Sequence, residues 1–124
     1  MRGHSDADVV AHAVTDAVLG AAGIGDVGEH FPDTDPQWAG ADSIAMLTRS
    51  VSYAHDVGFV VVNVDCVVVL ENPILRPHLP AMQQRLSAAA GGPVSVKAKR
   101  AEGLGAIGRN EGVACFATAL LESI

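Results

Sequence analysis

Residues 59 to 70 read Phe-Val-Val-Val-Asn-Val-Asp-Cys-Val-Val-Val-Leu. So dense a run of β-branched side chains loses less conformational freedom in an extended chain than in a helix, and it reads as a strand. It is far short of the ~20 apolar residues that a helix needs to cross a bilayer. A strand of this kind must be covered, so the rest of the chain is read for what covers it.

Helical periodicity supplies the cover. Residues 5 to 22 carry Val9, Val10, Ala13, Val14, Ala17 and Val18 on one face, with Ser5 and Asp8 in a capping-box pattern and Gly20 and Gly23 at the far end. Residues 24 to 40 are rich in turn formers and read as a loop. A second helix is expected from Asp42 or Ser43 to near Gly58, and a third from Pro77 to Ala90. Val94 to Lys99 alternates as a short strand. Residues 111 to 121 fit either state; the Gly-rich stretch Gly103 to Gly108 before them favours a strand returning as a hairpin. The expected fold class is α+β, one domain over residues 1 to 124, a mixed β-sheet with helices packed on one face.

Apolar residues make up 49% of the chain, yet only five side chains are aromatic. Much apolar surface with few large groups to hide it favours association with copies of itself. The formal charge is −6 and no basic cluster exceeds Lys97, Lys99 and Arg100, so no nucleic-acid face is expected. Nothing in the sequence suggests a membrane partner, and the first residues lack the apolar core of a signal peptide. Cys66 and Cys115 lie in apolar runs without CxxC spacing and are read as reduced core residues of a cytoplasmic protein.

Three groups of residues bear on chemistry. Asp8, His12 and Asp16 stand at i, i+4 and i+8 of the first helix and form a stripe. Imidazole flanked by carboxylates suits a metal, and a solvated polar face explains the spacing more economically. His4, beside the expected N-cap, is placed either to meet a phosphate at a helix N-terminus or as an ordinary surface histidine. Asp33 and Asp35 stand in a Pro-bounded loop that also reads as a plain turn. Glu102, after Lys99 and Arg100, offers a carboxylate beside cations, the donor type that holds Mg²⁺ together with phosphate oxygens, although a solvated charged turn needs no more. Arg109 and Glu111 read as an ion pair.

Taken together, these segments resemble the 2-C-methyl-D-erythritol 2,4-cyclodiphosphate synthase family over nearly the whole chain. The resemblance is carried by Gly3-His4-Ser5-Asp6-Ala7-Asp8-Val9 with His12 and Thr15-Asp16-Ala17, and by Gly25-Asp26-Val27-Gly28 with Phe31-Pro32-Asp33-Thr34-Asp35-Pro36. Gly40-Ala41-Asp42-Ser43, Asn63-Val64-Asp65, Pro77-His78, Val96-Lys97-Ala98 and Gly108-Arg109-x-Glu111-Gly112 follow in the family's order.

What the resemblance implies is specific. The fold is trimeric, with sheets around a central channel and active sites between subunits. The activity is a phosphorus–oxygen lyase reaction in which a cytidine-diphosphate-linked methylerythritol 2-phosphate cyclises and releases CMP. His4, Arg100 and Glu102 stand at catalytic positions. His4, Ser5, Asp26, Val27, Gly28, Phe31, Pro32, Asp33, Thr34 and Asp35 contact the methylerythritol and phosphate part. The stretches Leu70 to Arg76 and Ala98 to Glu102 line the cytidine site, with Leu70, Leu75, Arg76, Ala98, Lys99 and Arg100 singled out, and Arg109 and Glu111 face the channel. His12 is a ligand of Zn²⁺ or a similar divalent cation, and Glu102 holds Mg²⁺ or Mn²⁺. Family members open with a strand carrying Asp-x-His, which supplies two further zinc ligands; here Met1-Arg2 runs straight into Gly3. Two other departures are Lys99-Arg100-Ala101 in place of a run of threonines and Ile74 in place of a lysine. The alternative is a non-catalytic relative that keeps the trimer and binds isoprenoid diphosphate or other phosphates in its channel, and a third reading is a purely structural trimer.

Overall fold

The β-branched run is the central strand of a three-stranded sheet. The computed structural model of the chain describes residues 2–32, 42–71 and 75–124, with side chains from Ala7 onward. Strand β1, Phe59–Val69, pairs in parallel with β2, Val94–Lys99, and antiparallel with β3, Ala114–Ser123, in the order β2-β1-β3. Val64, Cys66 and Val68 point to one face and are at most 1% exposed, whereas Asp65 between them is exposed. The two-residue period of a pleated strand thus separates a covered face from an open one.

A parallel pair needs a crossover. After a 3₁₀ turn at Arg76–His78, helix α4, Leu79–Ala90, supplies it and ends on Gly91, whose φ of 74° suits glycine at a helix C-terminus. The expected third helix is therefore present, its first turn tightened at the two prolines. Helix α3, Ser43–Asp56, starts where expected: the Asp42 carboxylate accepts from Ile44 N–H at 2.9 Å.

Helix α1, Arg2–Ala21, packs against both α3 and β3. Val10, Val14 and Val18 are fully buried as the pattern implied. Ala11, Thr15 and Leu19 are equally buried, because two neighbours rather than one cover the helix. Its start corrects the sequence reading. Ser5 is not the N-cap, since the helix already runs from Arg2 and takes in Gly3, His4 and Ser5. One glycine costs a helix interior only about 1 kcal/mol relative to alanine and does not stop it.

Two further corrections concern connections. The loop expected over 24 to 40 contains a helical turn, α2, Val27–His30, which the Asp26 side chain caps by accepting from Glu29 N–H at 2.9 Å. Gly103 to Gly108 do not make a hairpin. Residues Gly105–Gly108 form a helical turn, α5, and the chain passes to the far side of β1, where β3 pairs from Val69↔Ala114 to Phe59↔Ser123 around a bulge between Val61 and Asn63. The hairpin reading took the nearest strand as partner, but pairing is a tertiary choice.

No helix among the described residues is long and apolar enough to cross a membrane.

Candidate active site

The parallel strands β1 and β2 end side by side, tied by Leu70 N–H donating to Lys99 C=O at 3.0 Å. Beyond their carboxyl ends lies a cleft of about 110 Å³ lined by Leu70, Leu75, Arg76, Ala98, Lys99 and Arg100. All six are residues that the family resemblance grouped; the seventh lining residue, Glu71, lies inside the implied stretch from Leu70 to Arg76 but was not singled out.

Glu71 is only 7% exposed. One carboxylate oxygen accepts from Arg100 Nε at 3.1 Å and Nη2 at 2.9 Å, and the other accepts from Gly103 N–H at 3.0 Å. These donors, the Gly103 N–H foremost, hold its carboxyl below the ordinary glutamate range against the opposing effect of burial. Arg100 is therefore already neutralised, while Lys99 has no ionic partner among the described residues. The two cations that the sequence treated alike are not equivalent. Nothing local marked Glu71: it is one acid after an apolar run, and its partners lie 29 and 32 residues away.

Glu102 is exposed and sits in a turn closed by Leu104 N–H donating to Ala101 C=O at 3.0 Å. Its φ is 55° and that of Gly103 is 76°.

A second group gathers at α1. His12 is exposed on the helix. Asp8, one turn before it, accepts from Ser43 Oγ at 2.7 Å, and Asp16, one turn after it, accepts from Val27 N–H at 2.7 Å. Both flanking carboxylates therefore join α1 to other elements. Among the described residues no group of three or more His, Cys, Asp and Glu is arranged to hold a metal. The Asp16 bond also brings Asp26, Val27 and Gly28 against α1. Phe31 is 3% exposed and stacks on Tyr53 with ring centroids 6.2 Å apart, so its side chain serves packing; Pro32 beside it is half-buried. Asp33, Thr34, Asp35 and Ile74 lie outside the described residues, as do the side chains of His4 and Ser5. Arg109 Nε donates to Glu111 at 2.6 Å in an exposed ion pair, as the sequence suggested.

Cys66 and Cys115 are free thiols. Burial pushes them up to about 12 and about 11, so neither offers a thiolate nucleophile near neutral pH.

Fold and site define an α+β protein with a mixed sheet and a cation-bordered cleft at its parallel strand ends, suited to an anionic ligand. The chain belongs to the YgbB family, whose profile matches residues 1–122. The 2-C-methyl-D-erythritol 2,4-cyclodiphosphate synthase of Symbiobacterium thermophilum is 50% identical over 124 residues, covering 98% of this chain and 79% of that protein. Among solved structures, the bifunctional IspDF of Campylobacter jejuni superposes with a TM-score of 0.88 at 38% identity, covering 94% of this chain and 32% of that one. The CDP complex of IspF from Plasmodium falciparum superposes with a TM-score of 0.79 at 27% identity, covering 93% and 70%.

Proposed function

We propose that this protein is a 2-C-methyl-D-erythritol 2,4-cyclodiphosphate synthase, a lyase of isoprenoid-precursor synthesis. The observation that carries the reading is that Leu70, Leu75, Arg76, Ala98, Lys99 and Arg100, from two separate stretches of sequence, line one cleft. The apolar wall of Leu70, Leu75 and Ala98 suits a pyrimidine ring, and Arg76 and Lys99 stand where a diphosphate would leave it. A relative with the same fold that was solved as its CDP complex supports a cytidine diphosphate-linked ligand.

In the reaction an oxygen of the substrate's 2-phosphate forms a bond to the β-phosphorus, the bond from that phosphorus to the bridging oxygen breaks, and CMP leaves with that oxygen. Little covalent work falls to the protein; orientation and charge neutralisation dominate. In this reading the cleft fixes the cytidine and so aims the β-phosphorus. Asp26, Val27 and Gly28, held by Asp16, together with the Phe31–Pro32 backbone, position the methylerythritol end. His4 and Ser5, early in α1, take the phosphate beside it, with Asp33, Thr34 and Asp35 completing that side.

The residues fit one metal better than the other. An exposed carboxylate in a fixed turn fits Mg²⁺ or Mn²⁺, which bind through one or two carboxylates plus substrate phosphate oxygens. Glu102 would hold that ion, and it would neutralise charge developing on the phosphates. For zinc the described residues do not suffice. A catalytic zinc takes three protein ligands, and among the described residues no group of three or more His, Cys, Asp and Glu is arranged to supply them. No step is assigned to zinc.

A cleft of about 110 Å³ is also too small to enclose a nucleotide diphosphate. A neighbouring subunit would complete it. The open face of the sheet supports a homotrimer: Val62, Phe116 and Leu120 are exposed there at 36%, 67% and 57%, too apolar a surface to leave in water. With the three sheets inward, Arg109 would line the channel, where an isoprenoid diphosphate is the ligand expected of the non-catalytic alternative. A cytoplasmic location accords with two free cysteines.

The test is to incubate the purified protein with 4-diphosphocytidyl-2-C-methyl-D-erythritol 2-phosphate and Mg²⁺ and to follow ³¹P NMR. Equimolar CMP and cyclic diphosphate are expected. Binding of CDP without any CMP release from substrate would instead favour the non-catalytic relative.

A further inference from the structure

The best-buried acid near the cleft touches a backbone turn rather than open space. Ala101-Glu102-Gly103-Leu104 closes with a hydrogen bond from Leu104 N–H to Ala101 C=O at 3.0 Å, and both central residues have positive φ, 55° and 76°. Such turns normally take Gly, Asn or Asp at both central positions because a Cβ crowds the backbone there. Gly103 meets that need, but Glu102 does not. A non-glycine residue in this region persists only where its surroundings over-determine it.

Three contacts do so. Gly103 N–H is held by Glu71 at 3.0 Å, and Arg100 just before the turn is held by the same carboxylate. From the far side, Gly108 of α5 packs so closely that a Cβ on it would stand 2.2 Å from the Gly103 carbonyl carbon. The turn is thus pinned between a buried carboxylate at the end of β1 and a helical turn. Glu71 is in turn fixed by its own burial, next to Leu70 in the ladder.

We infer that Glu71 is a positioning residue: its carboxylate holds the Ala101–Leu104 turn in its left-handed form and thereby sets where Glu102 stands, which, resting on the synthase reading, is the metal-bearing position of the reaction. It need not touch substrate. Its partner Arg100 serves the same clamp and is not a free anion-binding group.

The test is amide hydrogen exchange together with steady-state kinetics on Glu71→Ala, Glu71→Gln and the double variant Glu71→Ala/Glu102→Gly. In Glu71→Ala the Leu104 amide should exchange at least about tenfold faster while Val64 and Val68 in the core keep their protection, as for a local opening. Glutamine still accepts from Gly103 N–H, so Glu71→Gln should stay within about threefold of wild type. Glycine at 102 adopts positive φ without help, so the double variant should recover Leu104 protection. For turnover, kcat should fall on the order of 100-fold in Glu71→Ala, as for a misplaced catalytic group, with KM changed far less, and Glu71→Gln should restore most of it. Unchanged Leu104 exchange in Glu71→Ala would overturn the inference. So would parallel acceleration of the core amides in both single variants, or failure of glycine at 102 to restore the turn. Absence of CMP release by the wild type would defeat the synthase reading alone, because the exchange measurements need no substrate.

Discussion

Asp16 reaches from α1 to the backbone N–H of Val27, eleven residues further on, at 2.7 Å. The bond holds the entry to α2 against the helix that carries His12, and Asp26 beside it spends its own carboxylate on capping α2. One helix thereby sets the position of two of the segments expected to meet substrate.

Asp16→Ala should therefore destabilise the protein by about 1 kcal/mol, the net worth of one such hydrogen bond. It should lower kcat/KM for the cyclisation on the order of 100-fold, because Asp26 to Gly28 lose their anchor. Asp16→Asn keeps an oxygen that accepts from Val27 and should recover most of both. Urea denaturation and kinetics on the two variants check this; equal behaviour of Asn and Ala would show that the hydrogen bond is not what matters.

Ser50 on α3 is fully buried, and among the described residues its hydroxyl has no hydrogen-bond partner. A buried hydroxyl without a partner costs about 1–3 kcal/mol, and alanine is also the better helix former. Ser50→Ala is expected to raise stability by about 1 kcal/mol, seen as a higher urea midpoint at unchanged slope. A lower midpoint would mean that the hydroxyl is satisfied in solution.

The buried thiols set the alkaline limit. Desolvation, then the neighbouring Cys115 and Asp65, pushes the Cys66 thiol up from its ordinary value near 9 to about 12, against a smaller opposing effect of Lys97. A raised folded-state value means that the neutral thiol is favoured on folding. Its contribution is complete below about pH 9 and is lost as pH rises towards 12. At pH 10.5 the loss from Cys66 is on the order of 2 kcal/mol. Cys66→Val removes its titration and should roughly halve the loss of stability between pH 9 and 11, with Cys115, raised to about 11, supplying the rest. Iodoacetamide at pH 8 should leave Cys66 unmodified in the folded protein.

How much of this was legible in the sequence follows from the range of each interaction. The β1 run, the Asp42 cap and the Pro77 to Ala90 helix depend on neighbours a few residues apart, and all were read correctly. The partner of β3 was not, because a Gly-rich stretch announces a turn without saying which strand lies beyond it. The Asp8, His12 and Asp16 stripe stayed ambiguous because what decides it, Ser43 and Val27, lies 35 and 11 residues away in sequence. The clamping role of Glu71 escaped for the same reason. The six cleft residues were grouped through their likeness to a family, which carries long-range information that periodicity lacks.

The open sheet face gives a prediction about assembly. Light scattering at micromolar concentration should report three times the 12.7 kDa chain mass. Phe116→Glu, which sets a charge opposite Val67 in the register, should shift the protein to monomer while α1 and the cleft stay folded by circular dichroism. A wild-type monomer would remove the shared site.

The last prediction separates Lys99 from Arg100. Both are exposed cations one residue apart at the end of β2, and composition alone gives each the same weight for an anionic ligand. The structure pairs Arg100 with the buried Glu71 carboxylate and leaves Lys99 without an ionic partner among the described residues. A diphosphate arriving at the cleft would meet one uncompensated charge there, not two. Lys99→Thr should weaken CDP binding about fivefold, the equivalent of roughly 1 kcal/mol for an exposed charge pair. That loss should shrink as salt rises and screens the interaction. Arg100→Thr exposes Glu71 as an uncompensated anion beside the ligand, so it should also weaken binding, but by adding repulsion. Removing Glu71 as well should then restore affinity, because the repelling group has gone. Calorimetry of CDP binding at low and high salt on Lys99→Thr, Arg100→Thr and Arg100→Thr/Glu71→Gln distinguishes the two origins. If the double variant binds as poorly as Arg100→Thr alone, Arg100 contacts the ligand directly and the pairing seen here breaks on binding.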